Sequence, residues 1–144
     1  MADIDSESLN GNLFFLTTAF SRKLSREADE VFASVGLSSS HALLLLMIRK
    51  NPEIQPSQLA EELHLKPSTI TRLVQKLERR QLVRKQPEGR ATAIACTSNG
   101  KEVAENIDQQ WQKLIASKQD QLGERYVEVL SEMISNALDK LDDH

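Results

Sequence analysis

Gln58-Leu-Ala-Glu-Glu-Leu-His-Leu-Lys-Pro-Ser-Thr-Ile-Thr-Arg-Leu-Val-Gln-Lys-Leu-Glu-Arg-Arg-Gln-Leu-Val83 contains two helical patterns separated by Pro67. Before the proline, Leu59, Ala60 and Leu63 share one face of a short helix that Pro56 opens. After it, Ile70, Leu73, Val74 and Leu77 recur every three or four residues, which predicts a second helix from Ser68 to about Gln81. At 100° per residue with Leu73 at zero, these four fall between roughly 0° and 100°. Ser68, Arg72, Gln75 and Arg79 fall between roughly 200° and 260°, with Thr69 and Lys76 at the edge of that face. One side of this helix is therefore apolar and the other polar and basic.

Downstream, Leu82 to Gln86 and Ala91 to Cys96 lack helical periodicity and are separated by Pro87, Glu88, Gly89 and Arg90, the pattern of a hairpin. Upstream, Leu9, Leu13, Leu16, Phe20, Leu24, Ala28 and Val31 predict a long amphipathic helix from about Ser8 to Val35, stopped by Gly36. Ser38 caps a following helix, Ser39 to about Lys50, whose run Leu43 to Ile48 is apolar nearly all round and so belongs in the core. Beyond the hairpin, Thr97 caps a helix carrying Val103, Ile107, Trp111 and Leu114 between Lys101 and Leu122. A last helix, Glu124 to Leu141, repeats the stripe with Val127, Leu130, Ile134, Ala137 and Leu141, widened by Met133 and Leu138.

The expected fold is mainly α with a small β-hairpin wing. A winged helix-turn-helix lobe over 38–97 is flanked by long N- and C-terminal dimerisation helices over 8–36 and 101–142, in a single domain 1–144. The stripes on the long helices offer more apolar surface than so small a lobe covers, and pairing two copies would cover it.

The net charge of −3 argues at first against a polyanionic partner. Its distribution reverses that argument. Residues 66–100 carry Lys66, Arg72, Lys76, Arg79, Arg80, Arg84, Lys85 and Arg90 against only Glu78 and Glu88, a net of +6, between two acidic flanks. On the exposed helix face, Arg can donate two hydrogen bonds to guanine, Gln can pair with adenine, and Ser68 or Thr69 can reach a base edge or a phosphate. Arg79, Arg84 and Lys85 are placed to neutralise phosphates, as is Arg80, and Arg90 at the hairpin tip to enter a minor groove. The expected partners are a double-stranded DNA operator and a second copy of the chain. The rival reading is a winged-helix module that docks an acidic protein, which would lack the steep salt dependence of DNA binding. A further rival is a helical dimer that stores a ligand or metal.

Other classes have little support. There is one cysteine, Cys96, expected to act as a small buried hydrophobe. His41, His64 and His144 share no ligand spacing with one another or with that cysteine, so neither metal nor cofactor is expected. No phosphate loop or nucleophile motif supports catalysis. The longest apolar run, Ala42 to Ile48, is far shorter than a membrane span, and the N-terminus carries no secretory pattern; a cytoplasmic location is expected.

The stretch from Gln58 to Val83, with its core Ser68-Thr-Ile-Thr-Arg-Leu-Val-Gln-Lys-Leu-Glu, the hairpin ending Ala95-Cys-Thr and the flanking long helices, resembles the MarR family of transcriptional regulators. The resemblance covers nearly the whole chain. It implies a homodimer with interdigitating terminal helices, two lobes reading a pseudopalindromic operator, and repression relieved by a small-molecule effector. Ser68, Thr69, Arg72 and Lys76 match that family's recognition-helix contacts, and Arg90 its wing-tip arginine. Three departures stand out. Gln81 occupies the place of the usual C-cap glycine, Glu88-Gly89-Arg90 makes a shorter wing tip without the usual Asp, and Cys96 replaces an apolar residue.

Overall fold

Asn10, Gly11 and Asn12 interrupt the first predicted helix. In the computed structural model, which describes residues 6–88 and 91–141, a single turn α1 (Ser6–Leu9) precedes a separate helix α2 (Leu13–Phe32). Asn12 starts α2 by accepting the Phe15 N–H on its side chain at 3.0 Å, and its own N–H donates to the Leu9 carbonyl at 3.0 Å. The continuous helix expected from Ser8 is thus two, because a capping Asn beside a glycine outweighs the apolar periodicity spanning them. A 3₁₀ turn, Ala33–Val35, ends at Gly36 with φ 71°, where the Leu37 N–H reaches back to the Phe32 carbonyl at 3.2 Å.

The next helix, α3 (Ser39–Lys50), is the centre of the lobe. Its N-terminus is covered twice: the Ser38 hydroxyl takes the His41 N–H, and Asp29 of α2 takes the Ser39 N–H at 2.8 Å. Ala42, Leu44, Leu45, Leu46 and Ile48 are buried, as the apolar run predicts. Against α3 pack α5 (Pro67–Arg79) and β2 (Ala91–Cys96), which forms an antiparallel ribbon with β1 (Val83–Glu88), while α4 (Pro56–Glu62) packs on α5 and β2. Leu59, Ile70, Leu77, Leu82 and Ile94 complete the core. The ribbon pairs Val83 with Cys96 through Glu88 with Ala91, so β1 runs through Pro87 and Glu88, which the sequence placed in the connection. Proline is tolerated there because β1 is an edge strand, whereas β2 also bridges Ile54, whose carbonyl accepts from the Ile94 N–H at 2.9 Å.

Thr97 caps α6 (Ser98–Leu122) by accepting the Gly100 N–H at 3.0 Å, and α7 (Glu124–Leu141) follows Gly123, whose φ is 98°. Contacts divide the chain into two units, Met1–Ile107 and Asp108–His144. In the first unit, Ala104 and Ile107 of α6 are buried while Leu13, Phe14, Phe15, Leu16, Phe20 and Leu24 of α2 are exposed. In the second, α7 buries none of its residues, and Tyr126, Met133, Ile134, Leu138 and Leu141 are exposed. No single helix among the described residues is long and apolar enough to cross a membrane.

Candidate nucleic-acid interface

The site is built on α5, whose two ends are fixed by different means. At its start, Lys66 takes the N-cap position without a side-chain hydrogen bond, and Pro67 supplies a fixed φ at the first helical position. The amides of Ser68 and Thr69 therefore lack side-chain capping at Lys66 and lie at the positive end of the helix, suited to an anion. The turn leading into it requires a left-handed residue, supplied by His64 at φ 53°, with the Leu65 N–H closing on the Ala60 carbonyl at 2.9 Å. At the end of α5, Gln81 adopts φ 58°, and the Leu82 N–H donates to the Leu77 carbonyl at 2.9 Å. The chain thus keeps the left-handed C-cap geometry with a side-chain-bearing residue where glycine is usual.

Between these ends the two faces separate as the helical arithmetic requires. Ile70, Leu73, Val74 and Leu77 are buried. Ser68, Arg72, Gln75 and Arg79 are exposed, and Thr69 and Lys76 are half-buried at the boundary. Five polar or basic side chains, Ser68, Arg72, Gln75, Lys76 and Arg79, thereby share a surface beside the open helix start.

Strand alternation separates the two cations of β1. Lys85 lies on the same side as buried Val83 and leans on Glu78 of α5 at 3.6 Å, whereas Arg84 points to the opposite side and is exposed. Arg90 lies outside the described residues. A cavity of about 170 Å³ lies in the lobe beside the site, lined by Pro56, Ile70, Thr71, Val74, Lys85 and Ile94 among others.

The weaker candidates also find their places. His41 hydrogen-bonds through Nδ1 to the Ser38 hydroxyl at 2.6 Å, and Asp29, an acid of the first long helix, is engaged with the Ser39 amide. Burial, then the nearby charges of Lys76 and Arg80, lower the His41 pKa from its ordinary 6.5. Among the described residues no group of His, Cys, Asp and Glu could hold a metal ion. Cys96 is buried beneath α3, and burial pushes its thiol pKa up despite Arg49 and Lys101, which disfavours the reactive thiolate.

Arg80 is the residue that sequence reasoning misplaced. Grouped with Arg79 as a phosphate neutraliser, it instead turns toward the end of α2, donating to the Gly36 carbonyl at 2.6 Å and the Val35 carbonyl at 3.1 Å. The signal was present: Arg80 lies roughly 20° from Leu73 on the helical wheel, beside the buried stripe and away from Arg79.

Residues 35–91, which span this site, match the family model described as the MarR family. No curated protein sequence matches the chain. Solved MarR-like structures share its fold. A cysteine-to-serine mutant of MarR from E. coli complexed with operator DNA is 21% identical, covers 95% of this chain and 99% of its own, and has a TM-score of 0.82. MepR from S. aureus in its DNA complex is 17% identical, with 90% and 98% covered and a TM-score of 0.80. CouR from Rhodococcus jostii, bound to p-coumaroyl-CoA, is 20% identical, with 92% and 95% covered and a TM-score of 0.80.

Proposed function

We propose that this MarR-like chain is a dimeric, sequence-specific DNA-binding transcriptional regulator, a repressor released from a pseudopalindromic operator by a small-molecule effector. The observation that carries the DNA reading is the exposed face of α5. Ser68, Arg72, Gln75, Lys76 and Arg79 share one surface at an uncapped helix start, in a chain whose other segments are acidic. In this reading Arg72 and Gln75 contact base edges, Ser68 and Thr69 contact a base edge or a phosphate, and Lys76, Arg79 and Arg84 contact phosphates. Lys85, tied to Glu78, contributes to the local positive field, and Arg90 keeps the minor-groove role that the family resemblance implies.

Dimerisation is supported by the apolar side chains exposed on α2 and, separately, on α7. Two copies related by a two-fold axis would present two α5 helices to successive major grooves. The effector is supported by the CouR neighbour, which is bound to an acyl-CoA.

Selecting bound fragments from random duplex DNA with the purified protein tests the reading. Enrichment of an inverted repeat with half-sites about 10 base pairs apart is expected, with affinity falling by orders of magnitude between about 50 and 200 mM salt. No enrichment, or binding indifferent to salt, would overturn it and favour a protein-docking module.

A further inference from the structure

The turn Arg80-Gln81-Leu82 joins the C-terminal end of α5 to both long helices of the first unit. On one side the Arg80 guanidinium spans two carbonyls at the end of the α2 segment, Gly36 at 2.6 Å and Val35 at 3.1 Å. A cation suits that place, because the carbonyls ending a helix carry partial negative charge. Gly36 makes room for it: a Cβ there would stand 3.1 Å from one guanidinium nitrogen and 3.3 Å from the other, and φ 71° already disfavours a side chain. On the other side, the Thr97 hydroxyl donates to the Gln81 carbonyl at 2.7 Å, and the Thr97 amide to the Leu82 carbonyl at 3.0 Å. Gly100 of α6 lies so close that a Cβ would meet the Leu82 carbonyl oxygen at 1.9 Å.

The α6 side of this junction is backbone against backbone. The α2 side depends on one side chain reaching a segment more than forty residues away in the chain. Asp29, by accepting the Ser39 amide, fixes the corner between α2 and α3 at the same place.

We infer that Arg80 is a positioning residue: it clamps the end of α5 to the end of α2 and so sets where the DNA-facing helix stands relative to the helix that carries the exposed apolar face. This rests on the DNA reading of α5. The guanidinium touches no nucleic acid in this role. It fixes the spacing between the two α5 helices of a dimer, and hence which half-site spacing is tolerated, without altering what each helix reads.

The test compares the full-length parent with Arg80→Ala and Arg80→Lys. Hydrogen exchange needs no DNA: the amides of Gly36 and Leu37, which bond to Ala33 and Phe32, are expected to exchange at least tenfold faster in Arg80→Ala. Those of Leu65 and Ile94, remote from the clamp, should be unchanged. Anisotropy titrations on the selected operator, and on versions with the half-sites one base pair closer or farther apart, give the second readout. The parent is expected to discriminate between spacings at least tenfold and Arg80→Ala less than threefold, with equal affinity for an isolated half-site. Arg80→Lys, which keeps the charge but lacks the two-pronged reach, is expected to recover only part of the discrimination.

Equal weakening on every DNA, with a salt slope shallower by about one, would make Arg80 a phosphate contact and overturn the clamp. Unchanged exchange at Gly36 and Leu37 would overturn it independently of DNA. A parent protein that selects no DNA would instead overturn the reading of α5 on which the role depends.

Discussion

The lobe and the long helices divide apolar surface in opposite ways. Ile70, Leu73, Val74 and Leu77 of α5 are buried, and what α5 exposes beyond Pro67 is chiefly hydroxyl, amide and guanidinium. On α2, by contrast, Phe14 is 80% exposed and Leu13 71%, and α7 leaves Met133 at 64% and Leu141 at 70%. A surface that has hidden its hydrocarbon and shows fixed cations suits a solvated polyanion, where affinity comes from charge and hydrogen bonding. Hydrocarbon left in water suits a second protein surface, where affinity comes from burial. The same chain thus carries one finished and one unfinished region, and their chemistry assigns each a different partner.

The largest expected effect lies where the two regions meet. Gly100→Ala places a methyl group onto the Leu82 carbonyl, and neither side of that contact can yield without moving backbone. A loss of about 3 kcal/mol in urea unfolding is expected. Gly11→Ala, with nothing within 4 Å of the added carbon, should leave the midpoint unchanged. Equal behaviour of the two variants would break the view that the lobe and the start of α6 are locked together.

Next in size is the unfinished region itself. Phe14→Asp should leave the melting of the lobe unaltered while weakening self-association by about 2 kcal/mol, roughly 30-fold, in sedimentation equilibrium. A variant as dimeric as its parent would show that the exposed face of α2 is not what holds two copies together.

Within the finished region, Gln81→Gly removes a side chain from a left-handed position at φ 58° and is expected to stabilise the fold by about 1 kcal/mol in thermal melts. A loss of stability would mean that the Gln81 side chain contributes more than its backbone strain costs.

The smallest effect is electrostatic. The His41 pKa is depressed by burial and by Lys76 and Arg80, so as pH falls below 6.5 the unfolded chain takes up a proton before the folded one does. Stability should therefore be level above pH 6.5 on this account, fall as pH drops toward the lower folded value, and level off below it. His41→Gln should remove that part of the slope in urea titrations at successive pH values, and a slope that persists unchanged would assign it to other groups.

What could be read in the sequence depended on whether a signal was local. The separated faces of α5, the Ser38 and Thr97 caps and the start and end of α3 follow from periodicity and from residues adjacent in the chain, and they stand where expected. The break at Asn12 was equally local, but the apolar spacing from Leu9 to Leu16 masked it. Arg80 was different. Its carbonyl partners at Val35 and Gly36 lie far away in the sequence, and only the folded lobe brings them within reach. The same limit applied to Lys85: strand alternation could separate it from Arg84, but its approach to Glu78 depends on how β1 packs on α5.

Comparing base readout with phosphate contact tests the central claim most directly, by anisotropy titration of the parent, Arg72→Ala and Arg84→Ala on the selected operator and on a scrambled duplex of equal length. Arg72→Ala is predicted to lose about 1–3 kcal/mol on the operator and little on the scrambled duplex, whereas Arg84→Ala should weaken both alike. Arg72→Ala binding the operator as tightly as the parent would contradict the assignment of the α5 face to DNA.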